Sequence, residues 1–82
     1  MFLEIITPDA KVFEGEVEAV KVPAINGEFE VLNNHVAIVS ALGAGEVRVT
    51  EKGTKTFFII DSGVIEVLKN KVIILAESVK VN

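Results

Sequence analysis

Short apolar runs that alternate with polar residues, broken every few positions by turn formers, set the rhythm of this chain. Phe2 to Ile6 reads as a first strand and stops before Pro8, which has no N–H for a ladder. Val12 to Val22 reads as a longer, acid-rich strand whose alternation slips. Val17 and Ala19 share one face while Val20 and Val22 take the other, which predicts a bulge near Gly15 or Ala19. Glu28 to Leu32 alternates cleanly, with Phe29 and Val31 inward and Glu28 and Glu30 outward. Val36 to Leu42 is apolar except for Ser40 and fits either a buried strand or a short helical turn.

Glu46 to Glu51 is the clearest strand, with Val47 and Val49 opposed to Glu46, Arg48 and Thr50. Lys52-Gly53 turns it into Thr54 to Ile60, whose Phe57-Phe58-Ile59-Ile60 end predicts burial on both faces. Val64 to Leu68 and Val72 to Ala76 pair as a hairpin across Lys69-Asn70-Lys71, and Ser78 to Asn82 alternates as a last edge strand. The stretch from Val64 to Asn82 lacks Gly and Pro, but Val72, Ile73, Ile74 and Leu75 would surround a helix axis instead of forming a stripe, so strands win.

Composition supports this reading. The chain of 82 residues holds 14 valines, 9 isoleucines and 4 threonines, side chains that lose rotamer freedom in helices and pack well on a pleated surface. Turn signals at short intervals, among them Pro23, Asn26-Gly27, Asn33-Asn34, Gly43-Ala44-Gly45 and Asp61-Ser62-Gly63, mark an all-β sandwich or barrel. The length predicts one domain over 1–82, and no linker or repeat interrupts it. There is no cysteine, hence no disulfide framework or Cys-based zinc site.

Charge narrows the function. Residues 1–41 carry seven acids against Lys11 and Lys21, while residues 42–82 carry five acids against six bases. An acidic half, one arginine and no Tyr or Trp argue against nucleic acid, which asks for a basic stripe and stacking platforms. The longest apolar run, Val72 to Ala76, is far short of the ~20 residues that span a bilayer, so any membrane association runs through a protein partner.

Catalytic chemistry finds little to work with. His35 is the single histidine, and Ser40, Ser62 and Ser78 sit in apolar or turn contexts without a base. A lone histidine supplies no metal cluster, and Gly43-Ala44-Gly45 is too short for a phosphate loop and lacks its lysine. Glu14, Glu16 and Glu18 on one strand face read as a solvated edge that resists aggregation. The expectation is a non-enzyme with a surface to offer: no catalytic residue, cofactor, metal or small-molecule substrate.

The order of motifs then points to a family. Gly27-Glu28-Phe29, Asn33-Asn34-His35, the run to Leu42, Gly45 and Val47-Arg48-Val49 resemble the epsilon subunit of the rotary F-type ATP synthase, delta in mitochondria. Leu3 to Ile6 with Phe13 and Gly15, Ser62-Gly63-Val64-Ile65-Glu66-Val67, and Val72 to Glu77 extend the likeness over essentially the whole chain. Glu30 stands where the family usually has Gly, and Asn33 and Ala37 where it has Pro. The bend at His35 is therefore less pre-set, with asparagines, which tolerate turn conformations, in partial replacement.

The resemblance implies a flattened sandwich of about ten short, mostly antiparallel strands. It implies a rotor subunit on the central stalk that links gamma to the c-ring and couples ion-driven rotation to ATP synthesis. Such a subunit is peripheral to the membrane, at the cytoplasmic face of a bacterial inner membrane. Thr7, His35 and Ser40 fall where the family faces gamma, and Glu28 where it faces the c-ring. From residue pattern alone, Glu28 is a solvated surface acid, and His35 fits a backbone-bonded turn histidine as well as a contact. Most bacterial relatives continue into an inhibitory helical hairpin; a chain ending at Asn82 is expected to act without hairpin inhibition. The alternative is a biotinyl or lipoyl carrier domain, with Lys52 at the Glu51-Lys52-Gly53 turn as the modifiable lysine, although the flanking Asp or Met residues of such domains are missing.

Overall fold

The computed structural model describes residues 1–81 and is all β. Ten strands follow in order: β1 (Phe2–Ile6), β2 (Lys11–Glu16), β3 (Ala19–Ala24), β4 (Gly27–Leu32), β5 (Ile38–Leu42), β6 (Gly45–Glu51), β7 (Thr54–Ile60), β8 (Gly63–Leu68), β9 (Lys71–Ala76) and β10 (Val79–Val81). Hydrogen bonding links them as β10-β7-β6-β3-β5-β8-β9-β1-β2, with β4 paired to β3. Every pairing is antiparallel except β1 with β9. The expected edge strand at Ser78 to Asn82 is β10; Asn82 lies outside the described residues.

The sheet folds into a sandwich at its weakest seam. β3 meets β5 through one residue pair, Ala24 with Leu42, so the sheet bends there into two layers. One layer is β3, β4, β6, β7 and β10; the other is β1, β2, β5, β8 and β9. Strand alternation sends Val20, Val22, Val31, Val47, Val49, Phe58 and Ile60 inward from the first, and Leu3, Ile5, Ile65, Val67, Val72 and Ile74 inward from the second. Phe13 of β2 meets Phe58 of β7 edge to face, ring centroids 5.9 Å apart, and closes the far side of the core.

The structure corrects the sequence reading in three places. Val12 to Val22 is two strands, not one bulged strand. The chain passes from one layer to the other at Val17-Glu18, whose amides bond to the carbonyls of Met1 and Thr50 at 2.8 Å each. The slip in alternation marks this crossing, with Val17, Ala19 and Val20 all buried. Pro23, expected as a turn, is buried inside β3, where its carbonyl accepts the Gly43 N–H at 2.8 Å. Gly45 makes room for it, since a Cβ there would lie 2.8 Å from the Pro23 Cβ. Finally, the end of β7 is buried on one face only: Phe58 and Ile60 are 4% and 1% exposed, Ile59 36%.

Two hairpins carry the turn chemistry their twist requires. Lys52-Gly53 and Lys69-Asn70 each place two successive residues at positive φ, 49° and 80° in the first and 50° and 62° in the second. That is the geometry of a two-residue primed turn, which matches the right-handed twist of the flanking strands.

Candidate functional site

Register fixes what the second layer shows to its outside. Residues directly opposite across a ladder share a face, so Val39, Glu66, Ile73, Glu4 and Glu14 form one outward row. Ala41, Val64, Leu75 and Ile6 form the next. The result is an outer face with an apolar centre: Val39, Val64, Leu68 and Leu75 are 69%, 41%, 52% and 53% exposed. Single exposed hydrophobics are ordinary, but neighbours on one sheet face form a patch, and patches of this kind mark docking surfaces.

Both ends of the face are hollowed. At one end Thr7, Pro8, Leu42, Val64 and Leu75 line an open cleft of about 520 Å³. Gly63 lets β8 and β9 close at its floor, because a Cβ there would lie 2.5 Å from the Leu75 carbonyl oxygen. At the other end Ala37, Val39, Glu66 and Leu68 line a smaller groove of about 330 Å³ beside the His35 bend.

The rim towards β2 is charged and internally paired. Lys11 Nζ lies 3.2 Å from Glu4 and 3.0 Å from Glu14, and Lys71 Nζ lies 3.5 Å from Glu4. The Glu4 side chain is only 13% exposed between these lysines. The hydrogen bond from Lys11 holds its carboxyl below the ordinary carboxylate value, against the opposing pull of burial. Lys11 is correspondingly raised, by its hydrogen bond to Glu14 first and to Glu4 second.

The residues singled out in the sequence fall as follows. Thr7 follows β1 at the rim of the larger cleft, its N–H bonded to the Ala10 carbonyl at 2.9 Å and its Oγ1 accepting the Ala10 N–H at 3.2 Å. Ser40 lies on β5 where β3 diverges. It shares the inward row of Ile65, and its Oγ donates to the Ala41 carbonyl at 3.3 Å, so Val39 and Ala41 are what β5 shows outward there.

His35 closes the bend at the far end. Its N–H bonds to the Leu32 carbonyl at 3.2 Å, and its ring stacks on Phe29 with centroids 6.3 Å apart. Nδ1 lies 2.7 Å from the Val36 carbonyl oxygen, a contact that requires the proton on Nδ1. Asn34 takes φ 63°, the left-handed turn that asparagine tolerates and proline cannot adopt. The Asn33 Oδ1 accepts from the Met1 amine at 2.7 Å.

Glu28 stands apart from these, on β4 of the first layer, exposed and ion-paired with Lys21 at 3.3 Å. Lys52 occupies an exposed turn whose next amide, Gly53 N–H, is held by Glu18 Oε1 at 3.0 Å. Among the described residues no three His, Asp or Glu are grouped to hold a metal, and no helix is long and apolar enough to cross a membrane.

The outward apolar residues were missed in the sequence, although a signal was there. An antiparallel sheet with one wet face should alternate, yet Val72 to Ala76 is apolar throughout and Val64 to Leu68 nearly so.

Fold and surface together define a ten-stranded β-sandwich with an apolar outer face on β5, β8 and β9. The chain belongs to the family described as ATP synthase, Delta/Epsilon chain, beta-sandwich domain, whose model matches residues 1–81. It is 44% identical over 77 residues to the ATP synthase epsilon chain of Maridesulfovibrio salexigens, covering 94% of this chain and 54% of that one. It is 42% identical over 78 residues to the ATP synthase epsilon chain of Campylobacter hominis, covering 93% and 60%. The chain thus spans little more than half the length of the curated relatives it matches.

Among solved structures, a chain of the Euglena gracilis mitochondrial ATP synthase, described as OSCP/F1/c-ring in rotational state 1, superposes with a TM-score of 0.91 at 26% identity, over 96% of this chain and 51% of that one. A chain of the Tetrahymena thermophila mitochondrial ATP synthase central stalk and c-ring gives 0.83 at 16% identity, over 96% and 64%, and speaks for the fold alone. The family assignment leaves the carrier-domain reading of Lys52 without support.

Proposed function

We propose that residues 1–82 form one sandwich domain that serves as a non-catalytic rotor module of an F-type ATP synthase, joining gamma to the c-ring so that ion-driven rotation reaches the catalytic head. The observation that carries this is the exposed apolar face of β5, β8 and β9, bounded by the Thr7 cleft at one end and the His35 bend at the other. Burying such a face against a partner removes apolar area from water at ~25 cal/mol per Å², and its central side chains are natural anchors. We assign this face to gamma, with Thr7, His35 and Ser40 along its border.

Glu28 is assigned to the c-ring. It sits in the other layer from Thr7 and Ser40, as a subunit that touches two partners at once requires. The association with the membrane is then peripheral, through the complex. In this reading the sandwich couples rotation and takes no part in hairpin inhibition of hydrolysis.

The test is isolation of the complex through a tag on this chain. Gamma and the c-ring should come with it, and Leu75→Asp together with Val39→Asp should lose gamma while the chain stays folded. Recovery of gamma by the doubly substituted chain would overturn the assignment of the face.

A further inference from the structure

The His35 bend is tied to an element remote from it in sequence. Asn34 N–H donates to the side-chain Oδ1 of Asn70 at 2.9 Å, across 36 positions of chain. Asn70 is the second residue of the β8–β9 turn and, like Asn34, has a positive φ, 62° against 63°. A turn at that position asks only for a residue that tolerates the left-handed region, and glycine would serve it as well. What asparagine adds is the acceptor, and here the acceptor is used on another loop.

The bond is one of three that hold the bend's backbone and flank, beside the Met1 amine on Asn33 Oδ1 at 2.7 Å and the His35 N–H on the Leu32 carbonyl at 3.2 Å, and it alone ties the bend to β8 and β9. Asn33 and Ala37 flank His35, so no proline fixes φ on either side. Asn33, Asn34 and Val36 are exposed, and the half-buried His35 ring rests on Phe29. In the tautomer with Nδ1 donating to the Val36 carbonyl, the ring's acceptor is Nε2, and no group among the described residues bonds to it. The orientation of that acceptor follows from the backbone of Asn34 and His35, which Asn70 grips from the side of β8 and β9, the strands that carry Leu68 and Leu75.

We infer that Asn70 is a positioning residue: through the Asn34 amide it locks the His35 bend to the β8–β9 hairpin, so that the His35 ring and the apolar face present one rigid surface with Nε2 set to receive a donor from the partner. The inference rests on the assignment of this face to gamma. It predicts that the two loops order together and that the bend, once released, meets its partner with an added ordering cost.

The experiment pairs Asn70→Gly, which keeps the turn's positive φ but removes the acceptor, with Asn70→Asp, which keeps an acceptor at the same place. Amide exchange at Asn34 and the His35 ring resonances are measured in the free chain, and affinity for gamma in parallel, with His35→Ala as reference. Asn70→Gly should speed Asn34 exchange roughly five- to tenfold, shift the His35 ring signals and weaken gamma binding by a similar factor, the loss expected of one hydrogen bond. Asn70→Asp should stay close to the parent in all three.

Unchanged Asn34 exchange and His35 signals in Asn70→Gly would overturn the inference directly. Altered signals with undiminished gamma binding, where His35→Ala does weaken it, would overturn the positioning role and leave the docking face standing. Full gamma binding by both Asn70→Gly and His35→Ala would instead remove His35 from the interface, and the inference with it.

Discussion

The two layers of this sandwich are alike inside and unlike outside. Inward, both present rows of valine, isoleucine and leucine at or near zero exposure, and neither layer contributes a buried polar side chain among the described residues. Outward, the layer of β3, β4, β6 and β7 offers charges that answer one another, Lys21 with Glu28 and Arg48 with Glu30 at 3.3 and 3.1 Å, with Leu32 and Ile59, 54% and 36% exposed, as single apolar side chains among them. The layer of β5, β8 and β9 offers Val39, Val64, Leu68 and Leu75. Folding explains the inner rows of both layers and the outer row of the first. It does not explain the outer row of the second, which costs solubility and earns nothing until a partner covers it. Function is therefore read from the difference between two outer faces, not from the core they share.

The largest effect should come where the layers are the same. Ile74→Ala or Val49→Ala removes a fully buried side chain from one layer or the other, and the isoleucine change should cost ~2–5 kcal/mol in either solvent or complex. Urea titration of the free chain measures it, and a loss below ~1 kcal/mol for Ile74→Ala would mean that the second layer is not built on this core.

The next effect should separate the layers. Leu75→Asp should weaken gamma binding by ~30-fold or more, the scale of a hot-spot residue, while Ile59→Asp on the first layer stays within about twofold. Equal losses from the two substitutions would erase the distinction drawn here. Glu28→Ala should lower recovery of the c-ring with gamma retained. Its effect on stability should stay below ~1 kcal/mol, since its pair with Lys21 is exposed. Loss of gamma with the ring retained would reverse the two assignments.

The smallest effect is in pH. Glu4 is held below its ordinary value of 4.5, so the stability its contacts with Lys11 and Lys71 provide is present above that value and lost as pH falls through the lowered one. Lys11 is raised above 10.5, so its share is complete below 10.5 and lost as pH rises through the raised value. Glu4→Gln should flatten the acid limb of the melting temperature against pH. An acid limb identical to the parent's would place the acid sensitivity elsewhere.

How much of this was legible in the sequence depends on the range of the interaction. Alternation marked the strands from Glu28 to Leu32 and Glu46 to Glu51 because the period is local. Lys52-Gly53 marked its hairpin for the same reason. The segment from Val12 to Val22 was misjudged because a slip of phase reads alike for a bulge and for a crossing between layers, and only the partners of Val17 and Glu18 decide it. The parallel pairing of β1 with β9 joins the two ends of the chain and leaves no local trace.

The site divides in the same way. His35 stood out by being alone, and its bend was placed by Asn33-Asn34, whereas Asn70 read only as a turn residue until the fold set it against Asn34. The apolar outer face was written in the unbroken run from Val72 to Ala76, but which members face outward required the register with β8 and β1.

The most direct measurement is an amide hydrogen-exchange footprint of the chain with and without gamma. Exchange should slow along β5, β8 and β9 and at the bend from Asn33 to Val36, with β6, β7 and β10 unchanged. Slowed exchange confined to β6 and β7, or none in either layer, would overturn the assignment of this face to gamma.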